Sequence, residues 1–373
     1  MRLALVRQRY NPFGGAERIV ERALPALARA GIEVTLIARQ AGGWGGGAQR
    51  VLTVDPFYIG SLWRDASFAR AARRAWQEGG FDLVQSHERI PGCSVYRAGD
   101  GVHRHWLAIR RAAARPGERL ALALDPYHRY VCAAERAMFA DSRLRAVICN
   151  SYMVRDEIRD CFGVAPERLH VVYNGVDLEH FHPRERARLR EPTRAQLGLR
   201  DDDVLFVFVG SGFWRKGLDA ALAALARSGR ADFALAVAGR DRKAARFARL
   251  ADELGVAARV RFLGPCADVR PLYAAADCFI LPTRYDPFPN AALEALAMGV
   301  PAIVGARSGA AEILAPARTG WICDPADPQG LADLMREAAH AARDMQAAAR
   351  AQAENFGIER MTAKLVSLYG ALA

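Results

Sequence analysis

Asp286 and Glu294 stand eight positions apart in Asp286-Pro-Phe-Pro-Asn-Ala-Ala-Leu-Glu294. An ionised carboxylate only accepts hydrogen bonds and can take two donors at once, so such a pair suits a ligand rich in hydroxyls. A second cluster, Arg215-Lys216, follows the apolar run Val204-Leu-Phe-Val-Phe-Val209 and is bracketed by Gly210, Gly212 and Gly217. Adjacent cations beside a glycine turn suit a diphosphate, Arg as a two-pronged fork and Lys as a point charge. A third element, Asn11-Pro-Phe-Gly-Gly-Ala-Glu-Arg18, places Gly14 and Gly15 where backbone amides can approach a phosphate or a sugar. The dinucleotide fingerprint is absent, because its third glycine would fall at Arg215, and the chain has no Walker P-loop.

These residues need strands and helices to hold them. Cys278-Phe-Ile-Leu-Pro282 reads as a buried parallel strand, and Asn290 to Met298 as a helix stopped by Gly299. Asp286 then lies in the loop and Glu294 about a turn into the helix, with amides of Phe288, Asn290 and Ala291 near a helix start that favours anions and hydroxyls. The same alternation runs through the chain. Strands are expected near Leu3–Val6, Val34–Ala38, Leu83–Ser86, Val147–Asn150 and Leu169–Val176, and in the second half at Val204–Gly210, Phe233–Gly239, Val260–Gly264, Cys278–Pro282, Ala302–Val304 and Gly320–Cys323. Helical segments between them, including Leu120–Phe139, predict parallel sheets covered on both faces. Pro25 should kink the first helix, Gly42 to Gly47 reads as a loop, and polar Asp177 to Arg200 reads as the interdomain linker. The division expected is 1–180, 181–355 and a last helix at 356–373.

At 373 residues, with 51% hydrophobic and 25% charged content, the chain has enough apolar material for two cores. Its seven cysteines are scattered without a C-x-x-C pair, which fits reduced thiols in a cytoplasm rather than a disulfide framework. No apolar stretch approaches ~18 residues, so neither a signal peptide nor a membrane span is expected. The net charge is +11, almost all from arginine. Its densest patch runs from His103 to Arg129, where Arg104, Arg110, Arg111, Arg115 and Arg119 interleave with Trp106, Leu107, Leu120 and Leu122. Cations beside such side chains suit an anionic lipid surface. Nucleic acid is not expected as a partner, since no zinc finger, recognition-helix or aromatic nucleic-acid signature accompanies the charge.

Together the three clusters resemble glycosyltransferase family 4, retaining enzymes of the GT-B fold, over essentially the whole chain. The family's acid-x7-acid motif usually starts with Glu, where this chain has Asp286; its Arg-Lys pair corresponds to Arg215 and Lys216, and its Gly-Gly loop to Gly14 and Gly15. Tyr10-Asn-Pro-Phe-Gly-Gly15, Ile90-Pro-Gly92 with Asp100 downstream, and Gly210-Ser-Gly-Phe-Trp-Arg-Lys-Gly217 are most similar to the branch that adds glucose to heptose of the lipopolysaccharide core. The resemblance implies two Rossmann-like domains facing each other across a cleft, with a C-terminal helix crossing back to the first. It implies a UDP-sugar donor as substrate, no cofactor and no metal, a lipid-anchored saccharide acceptor, and a peripheral position on the cytoplasmic face of the inner membrane. Catalysis would involve Asp286, Glu294, Arg215, Lys216 and Asp100. Gly14, Gly15, Gly212, Arg215, Lys216, Asp286, Phe288, Asn290, Ala291 and Glu294 would bind the donor, with Glu294 on the ribose and the loop Gly264–Val269 against the base. Fixed cations at the leaving diphosphate stabilise charge that develops in the transition state.

On the acceptor side Asp100 is favoured because Gly99 and Gly101 flank it after a core segment, with His103 and His87 next. Arg18, Arg89 and Arg104 are candidates for acceptor phosphates. Asp286 is one methylene shorter than the family's usual Glu, which leaves donor-sugar identity open. A covalent glycosyl intermediate and same-face attack guided by the leaving phosphate also both stay open. Other donors (UDP-N-acetylhexosamine, UDP-galactose, GDP-mannose), another glycolipid or polysaccharide acceptor, and a catalytically silent membrane scaffold are the alternatives.

Overall fold

The computed structural model describes residues 1–8, 24–40 and 50–373. The chain forms two compact units, Met1–Gly175 together with Ile358–Ala373, and Val176–Gly357. The first carries a seven-stranded parallel sheet in the order β3-β2-β1-β4-β5-β6-β7. Its strands are β1 (Arg2–Val6), β2 (Glu33–Ala38), β3 (Arg50–Thr53), β4 (Leu83–Ser86), β5 (Val95–Ala98), β6 (Ala146–Cys149) and β7 (Leu169–Val171). The second carries a six-stranded parallel sheet, β10-β9-β8-β11-β12-β13. These strands are β8 (Val204–Val209), β9 (Phe233–Ala238), β10 (Val260–Gly264), β11 (Cys278–Leu281), β12 (Ala302–Gly305) and β13 (Gly320–Cys323).

Helices cover both faces of the central strands, so their side chains are shielded from water. Leu83–Ser86, Val95–Ala98, Ala146–Cys149, Phe233–Ala238 and Cys278–Leu281 are buried at every position. In each sheet the strand order reverses once beside the first strand, between β1 and β4 and between β8 and β11. A crevice opens at such a reversal, outside the carboxyl ends of the strands, and this is where doubly wound sheets bind ligands.

Several elements differ from the sequence expectation. Short β3 and β5 were not anticipated: β3 is exposed throughout and lacks the apolar signature, whereas β5 contains Arg97, whose guanidinium is buried on Asn174 at 2.8 Å. The expected helix Leu120–Phe139 is two helices, Pro116–Leu124 and Pro126–Phe139, because Pro126 cannot continue the first and Asp125 caps the second by accepting from the Tyr127 amide at 2.8 Å. The expected linker is mostly a helix, Arg184–Gln196, belonging to the second unit. Its arginines made it look like solvated chain, yet Arg190 and Arg194 hold Asp277 at 2.7 and 3.3 Å and cap carbonyls at the end of the helix Arg270–Ala275. The glycine-rich segment Gly42–Gly47 lies outside the described residues, and Pro25 falls within helical residues 24–29.

The last helix, Ile358–Leu372, belongs to the first unit. Met361, Leu365 and Tyr369 join the core built on Leu3, Leu5 and Ile148, and the Tyr369 hydroxyl donates to Gln85 Oε1 at 2.5 Å. All seven cysteines are free thiols, and among the described residues no helix is long and apolar enough to cross a membrane.

Candidate active site

The second unit's crossing brings the cation pair onto the first acid of the motif. Beyond β8 the chain turns through Gly210 and Gly212 into the one-turn helix Phe213–Lys216, and beyond the neighbouring β11 it runs through Pro282 to Asp286. Gly217 ends the small helix at φ +79°, and a Cβ there would stand 1.9 Å from the Pro282 carbonyl oxygen. Only glycine lets the two loops approach this closely. The contact is sealed by the Arg284 amide donating to the Arg215 carbonyl at 2.9 Å, and by the Thr283 hydroxyl donating to the same oxygen at 2.9 Å.

Within that frame Lys216 Nζ pairs with Asp286 Oδ2, and Arg215 Nη1 donates to the same oxygen at 3.2 Å and to the Tyr285 carbonyl at 3.0 Å. Asp286 and Lys216 are buried, whereas Arg215 is one-third exposed at 33%. The Asp286 backbone is pinned too, its amide donating to the Arg307 carbonyl and its carbonyl accepting from the Gly309 amide, both at 3.0 Å. Burial pushes the Asp286 carboxyl up, but Lys216 and Arg215 outweigh it and hold the group below the usual carboxylate range. Burial also lowers the Lys216 ammonium, and Asp286 resists that change. Asp286 is therefore ionised near neutrality.

Arg215 and Lys216, expected at a diphosphate, thus converge on Asp286, expected at hydroxyls of the transferred sugar. Glu294 has a different partner. It lies in the helix Asn290–Ala297, half-buried, and accepts from the Tyr273 hydroxyl at 3.1 Å. Phe288 is buried beneath the loop, Asn290 and Ala291 are half-buried, and Gly212 is exposed at φ +78°. Gly14, Gly15 and Arg18 lie outside the described residues.

The first-unit candidates separate into two groups. Asp100 is exposed just past β5 and lines a cavity of about 170 Å³ with Arg89. Arg89 is largely held in place: Nε donates to Glu135 at 2.8 Å and Nη2 to the Gly101 carbonyl at 3.0 Å. His103 does not line this cavity, and its Nε2 meets His128 Nδ1 at 3.1 Å. Burial, with Arg89 and His128 adding to it, moves His103 down to about 4, so the ring is neutral. His87 is buried against Gln85 at 3.0 Å, and burial with Arg7 holds it well below the ordinary histidine range. Arg104 is exposed and lines a separate cavity with Cys132 and Cys161.

Sequence reading missed Glu135, Glu88, Asp65 and Tyr127. Glu135 is 1% exposed, and besides Arg89 it accepts the amides of His103 at 2.7 Å and Arg104 at 3.4 Å, anchoring the start of the helix His103–Ala113. Glu88 stands two residues beyond β4, a position legible from the strand prediction alone. Asp65 and Tyr127 meet at 3.0 Å across 62 residues of chain, which no local pattern reveals.

Two doubly wound units, one with a cation pair and two motif acids beside its strand reversal, define the GT-B class of sugar-transferring enzymes. Residues 13–180 match the model of Glycosyltransferase Family 4 and residues 190–356 that of Glycosyl transferases group 1. The chain belongs to glycosyltransferase family 4 and is a hexosyltransferase. It is 28% identical over 345 residues to lipopolysaccharide glucosyltransferase WaaG of Escherichia coli (strain K12), covering 91% of this chain and 89% of that one. It is 30% identical over 390 residues to D-inositol 3-phosphate glycosyltransferase of Mycolicibacterium paratuberculosis, covering 95% and 85%. Among solved structures, the crystal structure of WaaG, a glycosyltransferase involved in lipopolysaccharide biosynthesis, superposes with a TM-score of 0.85 at 25% identity over 98% of this chain and 99% of that one. Anabaena HepE in complex with UDP and glucose shares the fold at a TM-score of 0.73 and 20% identity, covering both chains fully at 100%.

Proposed function

We propose that this enzyme moves a hexose, glucose first, from a UDP-sugar to a heptose of the lipopolysaccharide inner core, with retention of anomeric configuration and without a metal. The observation that carries the donor half is the convergence of Arg215 and Lys216 on one point at the β8/β11 reversal. A diphosphate arriving there competes with Asp286 for both cations. As the bond to the sugar breaks, negative charge grows on the leaving oxygens, and cations already held in place stabilise it without reorganising. Asp286, released from the cations, can accept hydroxyls of the transferred ring, and Glu294, oriented by Tyr273, those of the ribose. The acceptor half is supported by the likeness to the Escherichia coli lipopolysaccharide glucosyltransferase along nearly the full length of both chains. The test is UDP release with UDP-glucose, UDP-galactose, UDP-N-acetylglucosamine and GDP-mannose, each with a heptose-terminated core lipid or inositol 3-phosphate. Rapid turnover only with UDP-glucose and the core lipid is expected; a preference for inositol 3-phosphate would overturn the acceptor assignment.

The lipid-anchored acceptor places the enzyme on the cytoplasmic face of the inner membrane. One region of the first unit supports this. The helix Pro116–Leu124 buries none of its residues, and Leu120 and Leu124 are 61% and 63% exposed. Phe57, Ile59 and Trp63 are exposed as well, at the start of the helix Gly60–Gly79, which the Tyr127–Asp65 bond ties to the start of Pro126–Phe139. Exposed Arg111, Arg115, Arg119 and Arg129 surround Leu120 and Leu124 in sequence. Apolar side chains among cations suit insertion into an anionic leaflet. Flotation with phosphatidylglycerol vesicles, reduced in Leu120→Ser/Leu124→Ser and absent with neutral vesicles, is the expected result.

A further inference from the structure

The helix that carries Arg215 and Lys216 is a single turn, Phe213–Lys216. A lone turn fixes several backbone angles for very few hydrogen bonds and does not hold its shape unaided, and its last carbonyls lack partners within the helix. Arg284, just beyond β11, supplies much of what is missing. Its guanidinium lies on Asp219 as a two-pronged fork, Nη1 donating to Oδ1 and Nη2 to Oδ2, both at 2.8 Å. Nη1 also donates to the Trp214 carbonyl at 2.6 Å, and the guanidinium carbon sits 4.8 Å from the centroid of the Trp214 ring. Asp219 belongs to the first turn of the helix Leu218–Arg227, where an acid is favoured. The pair therefore ties together the loop after β11, the one-turn helix and the helix that follows it. At the other end of the turn, Asp241 Oδ2 accepts the Phe213 amide at 2.7 Å.

We infer that Arg284 and Asp219 are positioning residues for sugar transfer: their ion pair fixes the turn from which Arg215 and Lys216 reach the leaving diphosphate. The inference rests on the donor reading above and adds to it what holds the cations still. In the free protein Asp286 itself holds both cations. A diphosphate that takes them from Asp286 removes that restraint at the moment when their placement matters most. The hold of Arg284 on Trp214 and Asp219 involves neither Asp286 nor the two cationic side chains, so it persists through the exchange. Preorganised cations stabilise developing charge because they need not move during reaction, and a misplacement of about 1 Å can cost on the order of 10²-fold in rate. Lysine at 284 would keep the charge but lose both the fork and the flat face that meets Trp214. The side chains of Arg284 and Asp219 are 20% and 28% exposed, so each regains water when the pair is broken and the fold is expected to survive.

The experiment measures nucleotide release at saturating donor, with the sugar nucleotide and acceptor that turn over fastest in the panel above, and records melting temperatures alongside. The variants are Arg284→Lys, Asp219→Asn, Lys216→Ala and the double variant Arg284→Lys/Lys216→Ala. Arg284→Lys and Asp219→Asn are each expected to lower kcat roughly tenfold while acceptor KM stays within about twofold. On the Lys216→Ala background, Arg284→Lys should cost less than about threefold, because one of the two cations it positions is already gone. A loss repeated in full on that background overturns the inference, since the pair would then act independently of Lys216. Full kcat in either folded single variant also overturns it, whatever the melting temperature, and leaves the donor reading intact when Lys216→Ala still loses its rate. Should Arg284→Lys fail to fold, Asp219→Asn alone and on the Lys216→Ala background decides in its place. Full kcat in Lys216→Ala refutes the donor reading and the inference together.

Discussion

At the β8/β11 reversal two cations close on a single buried acid, whereas at the β1/β4 reversal three acids line a crevice in which Arg64 pairs with Asp65 and Arg89 is held by Glu135. The backbone plan is the same in both: a parallel sheet, a change of strand order, and loops at the carboxyl edge. What differs is how each loop disposes its charge. In the second unit Gly217 lets two loops pack so tightly that a lysine is desolvated against an aspartate. In the first unit Glu135 holds Arg89 through its Nε at 2.8 Å. Topology thus provides the location of a site, and the local bookkeeping of charge determines which ligand it can accept.

The largest test of this contrast is Lys216→Ala. Loss of a preorganised donor to developing charge should lower the transfer rate by ~10²–10³, measured as UDP release at saturating donor. Arg89→Ala, by contrast, should lower stability more than rate, because its guanidinium braces Glu135. A rate loss in Arg89→Ala as large as that in Lys216→Ala would erase the distinction between the two crossings.

Next in size is Glu135→Ala. It leaves the half-buried Arg89 without its carboxylate and two helix amides without an acceptor, and should cost about 3 kcal/mol, read from the shift in the urea midpoint. Tyr273→Phe is smaller. Removing the hydroxyl that orients Glu294 should cost about 1 kcal/mol, seen as a roughly fivefold rise in donor KM with little change in acceptor KM.

The smallest effects are in pH, and the two units should respond in different windows. His103 has a folded value of about 4 against ~6.5 unfolded, so the unfolded chain binds more protons between those limits. Its contribution is complete above about 6.5 and is lost as the pH falls toward 4, and His103→Gln should flatten the urea-midpoint curve there. Asp286 lies below the unfolded value of ~3.9, so its contribution holds above that and disappears only as the pH falls further, through the folded value. Asp286→Asn should flatten only that lower limb. Identical curves for both variants would count against assigning the two windows to separate units.

The strands of both cores were legible wherever burial on both faces makes an apolar run, as in Phe233–Ala238 and Cys278–Leu281. Exposed β3 and the arginine-bearing β5 were not, since neither has that signature. The helix Arg184–Gln196 was hidden for a related reason: its burial is achieved by guanidinium groups capping carbonyls, which from sequence looks like a solvated linker.

From its sequence alone this protein had already determined its family, its alternation of strands and helices, and the placement of Arg215, Lys216, Asp286 and Glu294 at strand and helix ends, because glycine turns and apolar runs are local properties of the chain. Only tertiary structure decided that Asp286 takes both cations, that Glu294 answers to Tyr273, and that Asp65 and Tyr127 share the wall of a second crevice. Those outcomes depend on which side chains meet across long separations and how much water is left around them. Charge pairing is set by proximity and burial, and neither is written in the spacing of residues along the chain.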